Sequence, residues 1–111
     1  MRYEKEGYRL VRISLPGGAE TPISLQSDFR LIGSLSPNAV HRDGRILVGV
    51  QSLGSWWDEV AILDPQTGKL QKLDIPYAGD VDYPGWTGDG RIMAQGFPMR
   101  ASLWRFRREK P

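Results

Sequence analysis

Along this chain, apolar and polar residues alternate over stretches of a few residues, and each stretch stops at a glycine, a proline or an Asp-Gly pair. The pattern predicts strands over 8–15, 21–26, 33–41, 45–52, 59–63, 69–75, 81–86, 91–95 and 102–107. Asp43-Gly44 and Asp89-Gly90 are hairpin signals, because Asp and Gly tolerate the positive φ of tight turns. Asp64-Pro65-Gln66-Thr67-Gly68 reads as a longer hairpin loop, with Pro at its first corner and Gly closing it. No segment carries a convincing helical period. Ile46-Leu47-Val48 and Val60-Ala61-Ile62-Leu63 are apolar on consecutive residues, which implies a sheet covered on both faces.

The strands repeat. Asp43-Gly44-Arg45-Ile46 recurs as Asp89-Gly90-Arg91-Ile92, an offset of 46, and the flanking apolar pattern aligns without a gap. A second register, at offset 50, lays Leu10-Val11-Arg12-Ile13 over Val60-Ala61-Ile62-Leu63, Gly18 over Gly68 and Ile23 over Leu73. A period in the mid-forties with four strands per repeat is the propeller signature.

Asp43-Gly44-Arg45-Ile46-Leu47 and Gly85-Trp86-Thr87-Gly88-Asp89-Gly90-Arg91-Ile92 resemble the Asp-Gly-Arg-hydrophobic segment of bacterial WD-repeat-like propellers, among them the TolB propeller and the propeller domain of prolyl oligopeptidases. Val60-Ala61-Ile62-Leu63-Asp64 and Ser102-Leu103-Trp104-Arg105 resemble the third strand of such blades, and Thr67-Gly68-Lys69 the turn after it. His41-Arg42 and Thr87-Gly88 depart from the usual Ser/Thr-Pro before Asp-Gly, and the Gly-His and Trp-Asp pairs of eukaryotic WD repeats are absent. The resemblance implies an all-β fold of four-stranded antiparallel blades in an incomplete propeller. Residues 8–26 would supply the outer strands c and d of one blade, 33–76 a full blade, and 81–107 strands a, b and c of a last one. A closed propeller needs at least four blades, so missing blades of a longer chain, a ring of copies or a swapped hairpin would have to complete it.

Composition narrows the chemistry. With 40% apolar residues, 25% charged, 13 Gly and 8 Pro in 111 residues, the chain is one small turn-rich globular unit. It has no cysteine, which removes disulfides, thiolate catalysis and Cys-based zinc sites. The net charge of +2 is spread out; only Arg105, Arg107, Arg108 and Lys110 approach a basic stripe, so nucleic acid is not the expected partner. Trp104 and Phe106 alternate with the arginines there, as in a strand with one solvated face. No apolar run is long enough for a membrane helix. The opening residues lack the apolar stretch of a signal peptide, so the expectation is a soluble, cytoplasmic chain as written, with the periplasm open to a longer parent.

In blade geometry the d-to-a and b-to-c loops share one rim. That rim would gather 53–58, 77–83, 97–100 and 27–30, with Trp56, Trp57, Asp58, Asp80, Asp82, Tyr83 and Arg100 as the candidate ligand-binding residues. Trp56 and Trp57 are neighbours, and extended side chains alternate, so at most one is expected to be buried against a neighbouring blade. Asp80 and Asp82 have the spacing of a calcium-loop fragment but are far short of the 6–8 oxygens calcium takes, and they read as turn residues. His41-Arg42-Asp43 matches the start of a kinase catalytic loop, yet Val48 stands where that loop needs Asn. His41 is the only histidine and no Gly-x-Ser-x-Gly elbow occurs, so no catalytic residue, metal or cofactor is assigned. The expected function is a non-catalytic propeller segment that binds a protein or peptide on the loop face, with either a homo-oligomer or the missing blades of a longer chain to complete it. The alternative is the propeller portion of a prolyl oligopeptidase-type hydrolase whose catalytic domain lies outside this chain.

Overall fold

The computed structural model describes residues 2–4 and 7–109. Among them the chain is all-β, without a helix. The strands are β1 (Arg2–Glu4), β2 (Gly7–Arg9), β3 (Val11–Ile13), β4 (Glu20–Pro22), β5 (Arg30–Ile32), β6 (Ile46–Gln51), β7 (Glu59–Leu63), β8 (Leu70–Lys72), β9 (Gly79–Trp86) and β10 (Ile92–Pro98). All pairings are antiparallel. A four-stranded sheet in the order β5-β6-β7-β8 stands beside the two-stranded pairs β1-β2, β3-β4 and β9-β10, and no sheet closes on itself.

The middle sheet is the core, and it is covered twice. Val48 lies opposite Ala61 and Leu47 opposite Ile62, so side chains alternate between its two faces. Val48, Val50, Ala61 and Leu63 pack with Leu10, Ile23 and Leu25 on one side. Leu47 and Val60 pack with Ala39, Val81, Trp86 and Ile92 on the other. The consecutive apolar runs of the sequence are thereby explained: each neighbour in the run serves a different face.

The two sequence offsets are structural. Ser14 N–H donates to Ala19 C=O and Gly18 N–H to Ser14 C=O, both at 2.9 Å; fifty residues on, Asp64 N–H donates to Lys69 C=O and Gly68 N–H to Asp64 C=O. Ile23 N–H reaches Leu10 C=O as Leu73 N–H reaches Val60 C=O. The pairs Arg12–Thr21 and Ile62–Gln71 hold the same register in β3-β4 and β7-β8. At offset 46, His41 N–H donates to Arg45 C=O and Gly44 N–H to His41 C=O, just as Thr87 N–H donates to Arg91 C=O and Gly90 N–H to Thr87 C=O. Gly44 and Gly90 take φ of 93° and 82°, the left-handed turn that only glycine adopts cheaply.

Three sequence expectations need correction. The strand over 33–41 is reduced to a single bridge between Val40 and Ile46, and regular pairing with β6 comes earlier, from Arg30–Ile32. Gly33 bends the chain at φ 64°, and Pro37 offers no N–H to a ladder. The strand over 8–15 is split at the buried Leu10 into β2, paired with β1, and β3, paired with β4. The strand over 102–107 is absent: residues 99–109 carry no regular structure and are exposed. Met99 N–H donates to Ala78 C=O, which extends the β9-β10 ladder by one residue beyond the Gly79–Pro98 pair.

Candidate functional site

Pairing registers bring the predicted loops to one rim. Arg30 faces Gln51 and Val50 faces Glu59, so the β4-β5 and β6-β7 connections lie at the same end of the middle sheet. Gly79 faces Pro98, so β9 begins where β10 ends. The two sheets are stitched there: Asp58 N–H donates to an Asp80 carboxylate oxygen at 2.8 Å, and Val81 N–H donates to Asp58 C=O at 3.0 Å.

This stitch gathers three acids. One carboxylate oxygen from each of Asp58, Asp80 and Asp82 lies within 4.8 Å of the others, and all three residues are half-buried. Desolvation, then the charges of Asp82 and Asp80, push the Asp58 carboxyl up to about 6. No salt bridge from a basic side chain among the described residues compensates the cluster. Its chemistry suits a cation, either an ammonium or guanidinium group or a metal ion, although three oxygens are half or fewer of those calcium takes. Asp80 and Asp82 lie inside β9, not in a turn as expected.

The aromatic residues divide. Trp56 is 84% exposed, while Trp57 is half-buried; both lie in the bent loop before β7. Tyr83 is 65% exposed and has a φ of 52°. It sits at a β-bulge: Asp82 faces Gln95 and Gly85 faces Met93, so Tyr83 and Pro84 together oppose one residue of β10. The bulge turns Tyr83 into a cleft of about 180 Å³ lined also by Ile32, Gly49, Asp58 and Asp82. That volume is below the range of small-molecule pockets and matches a single side chain. A second, open groove of about 580 Å³ continues from Tyr83 past Pro37, Trp86, Met93 and Gln95. Arg100 is exposed beyond the end of β10 and forms no ion pair with the acids.

Sequence reasoning missed Glu59 beside this rim. Ser52 Oγ lies 2.7 Å from Glu59 Oε1 and Lys72 Nζ 2.9 Å from Oε2. Burial pushes Glu59 up, but hydrogen bonds from Lys72, Ser52 and Ser55 outweigh it and hold the carboxyl below its usual value. Nothing in a linear sequence marks Lys72 as its partner, thirteen positions away on the next strand.

At the opposite rim the single histidine is committed to packing. Its ring meets Trp86 edge-on at 4.8 Å, and its Nδ1 lies 2.9 Å from Asp43 Oδ1. The Arg45 guanidinium covers the same Trp86 at 4.9 Å, and Trp86 Nε1–H donates to Ala39 C=O at 3.0 Å. The Arg45 backbone N–H above all, helped by the Arg45 and His41 side chains, outweighs desolvation and holds the Asp43 carboxyl down at about 2. The kinase-like tripeptide is thus a turn that joins two repeats.

No family model, no curated protein and no solved structure matches this chain.

Proposed function

We propose that the chain is an incomplete β-propeller-type scaffold, related to the WD-repeat-like and TolB-like propellers, which binds a protein or peptide on the rim carrying Trp56, Asp58, Asp80, Asp82 and Tyr83 and assembles with further copies or blades. The single observation that carries the binding role is the cluster of three uncompensated carboxylates, two of which, Asp58 and Asp82, line a side-chain-sized cleft together with the exposed Tyr83. A lysine or arginine of the ligand neutralises the acids, Trp56 and Tyr83 cover its stem, and the open groove along β9 and β10 takes the flanking residues. The propeller reading is supported by the hydrogen bonds that recur at offsets 46 and 50 and by hairpins stacked on both faces of one four-stranded sheet. The proposed role is non-catalytic, in keeping with the engagement of the only histidine by Asp43 and Trp86 at the other rim.

The test is a titration of the full chain with a panel of short peptides that differ only in a central Lys, Arg, Gln or Glu, read by tryptophan fluorescence. The expected result is binding of the Lys and Arg peptides alone, weakened by salt. Trp56→Ala and Asp82→Asn should each cost about tenfold in affinity, roughly 1.4 kcal/mol. Equal binding of all four peptides, or both variants binding as the parent does, would overturn the assignment.

A further inference from the structure

β10 has a paired inner edge and, among the described residues, an unpaired outer one. One face of it carries Met93 and Phe97, 69% and 45% exposed. By the 46-residue offset β10 is the counterpart of β6, and β6 pairs its outer edge with β7, Val50 facing Glu59. Carried forward by 46, that register sets Gly96 against Arg105, Phe97 against Trp104 and Gln95 against Phe106. Trp104 and Phe106 would then join Met93 and Phe97 on one face, leaving Arg105 and Arg107 on the other. The segment that fits this edge is present but unused by its own sheet. Leu103, Trp104 and Phe106 are 102%, 76% and 90% exposed, and residues 99–109 form no regular structure.

We propose that residues 102–107 of each chain add as an antiparallel strand to β10 of a second copy, in a reciprocal exchange that forms a two-fold dimer. Unpaired edges and exposed aromatic residues are both costly in water, and one exchange removes both. Two tails with two aromatic residues and a leucine each, together with the β10 faces that receive them, cover on the order of 1,000 Å², which reaches the size of a specific interface. The dimer rests on the repeat reading above and is independent of what the acidic rim binds.

The test uses the full chain. Sedimentation equilibrium at micromolar concentration should give twice the 12.5 kDa of one chain, and Trp104→Asp with Phe106→Asp should halve it without moving the melting curve of the remaining monomer by more than the loss of the dimer. Because the chain has no cysteine, Phe97→Cys and Trp104→Cys can be made in separate chains and mixed. Oxidation should yield a covalent heterodimer. A monomeric parent chain overturns the proposal, and so does a chain carrying both Phe97→Cys and Trp104→Cys that closes its disulfide internally. Trp56→Ala and Asp82→Asn should leave the mass unchanged, so failure of the dimer and failure of the peptide site are read separately.

Discussion

Gly18 and Gly68, fifty positions apart, close the same turn in two hairpins, and their surroundings differ in one respect. Both take left-handed φ values, 69° and 76°. A Cβ on Gly18 would meet nothing within 4 Å, whereas one on Gly68 would stand 1.8 Å from the backbone oxygen of Ser24. Gln26 N–H also donates to Gly68 C=O at 2.8 Å, so this turn is where the chain leaving β4 crosses the middle sheet. Gly18→Ala should therefore cost only the left-handed strain, roughly 1 kcal/mol. Gly68→Ala should cost clearly more, because backbone and not a flexible side chain must shift. Urea denaturation of both variants checks the difference; equal losses would mean that the Ser24 crossing is not formed in solution.

Coverage of both faces of the middle sheet makes a second prediction. Leu63→Ala opens a cavity on the Leu10 side, and Leu47→Ala opens one on the Val81 side. Each should destabilise by about 2–5 kcal/mol. A sheet wetted on one face would lose this much from only one of the two, so a near-neutral result for either variant in denaturant titrations would remove the stacked hairpin on that side.

Trp86 ties the Asp-Gly-Arg turn of one repeat to the next. Trp86→Phe keeps a ring beside His41 and loses the N–H that Ala39 C=O accepts. Leu47 N–H still donates to that carbonyl at 2.8 Å, so a loss of about 1 kcal/mol is expected from one hydrogen bond and a weaker Arg45 stack. A double-mutant cycle with Arg45→Ala separates the two contributions, and a coupling of zero would rule out the stack.

The acidic cluster sets a pH dependence. Asp58 has a folded pKa of about 6, above its ordinary value of 3.8, so between those values the folded chain binds more protons than the unfolded one. Stability from this group is gained as pH falls from 6 towards 4, and the cost of its charge is fully present above pH 6. Asp58→Asn should raise the denaturation midpoint at pH 7, by about 1 kcal/mol once solvent screening is allowed for, and should flatten the profile between pH 4 and 6. Asp43 works in the opposite sense in a lower window: its carboxyl is held down at about 2, so its contribution is present above pH 4 and is lost as pH falls towards 2. Binding of a cationic peptide should weaken from pH 7 to 5 as Asp58 takes up a proton. Thermal melts and peptide titrations across this range measure both effects.

The strands that the sequence places most accurately are those whose signals are local and doubled. Glu59–Leu63 is found at its predicted bounds, because consecutive apolar residues end at an Asp-Pro turn and both faces are filled. The hairpins of the repeats were legible for a similar reason, since Asp-Gly and Thr-Gly mark positions where the backbone must enter the left-handed region. Strand 33–41 was not, because alternation alone does not register the bend at Gly33 or the missing donor at Pro37. Residues 102–107 alternate well but are exposed and outside any strand, although the outer edge of β10 is open. The acidic site was half legible. Trp56, Trp57, Asp58 and Arg100 lie outside the strands as expected, but Asp80, Asp82 and Tyr83 lie within β9, and the hydrogen bond from Asp58 N–H to Asp80, across 22 positions, joins the segments that carry the three carboxylates. No spacing rule along the chain contains that contact.

The central claim is that one four-stranded sheet forms the core because the flanking β3-β4 and β9-β10 segments cover it on both sides. Amide hydrogen exchange of the full chain tests this most directly. The slowest exchange should fall together in Leu47, Val48 and Val50 of β6 and in Val60, Ala61 and Leu63 of β7, which are 0–1% exposed, with β3-β4 and β9-β10 faster. Amides of β6 and β7 that exchange as fast as those of β3-β4 and β9-β10 would contradict it.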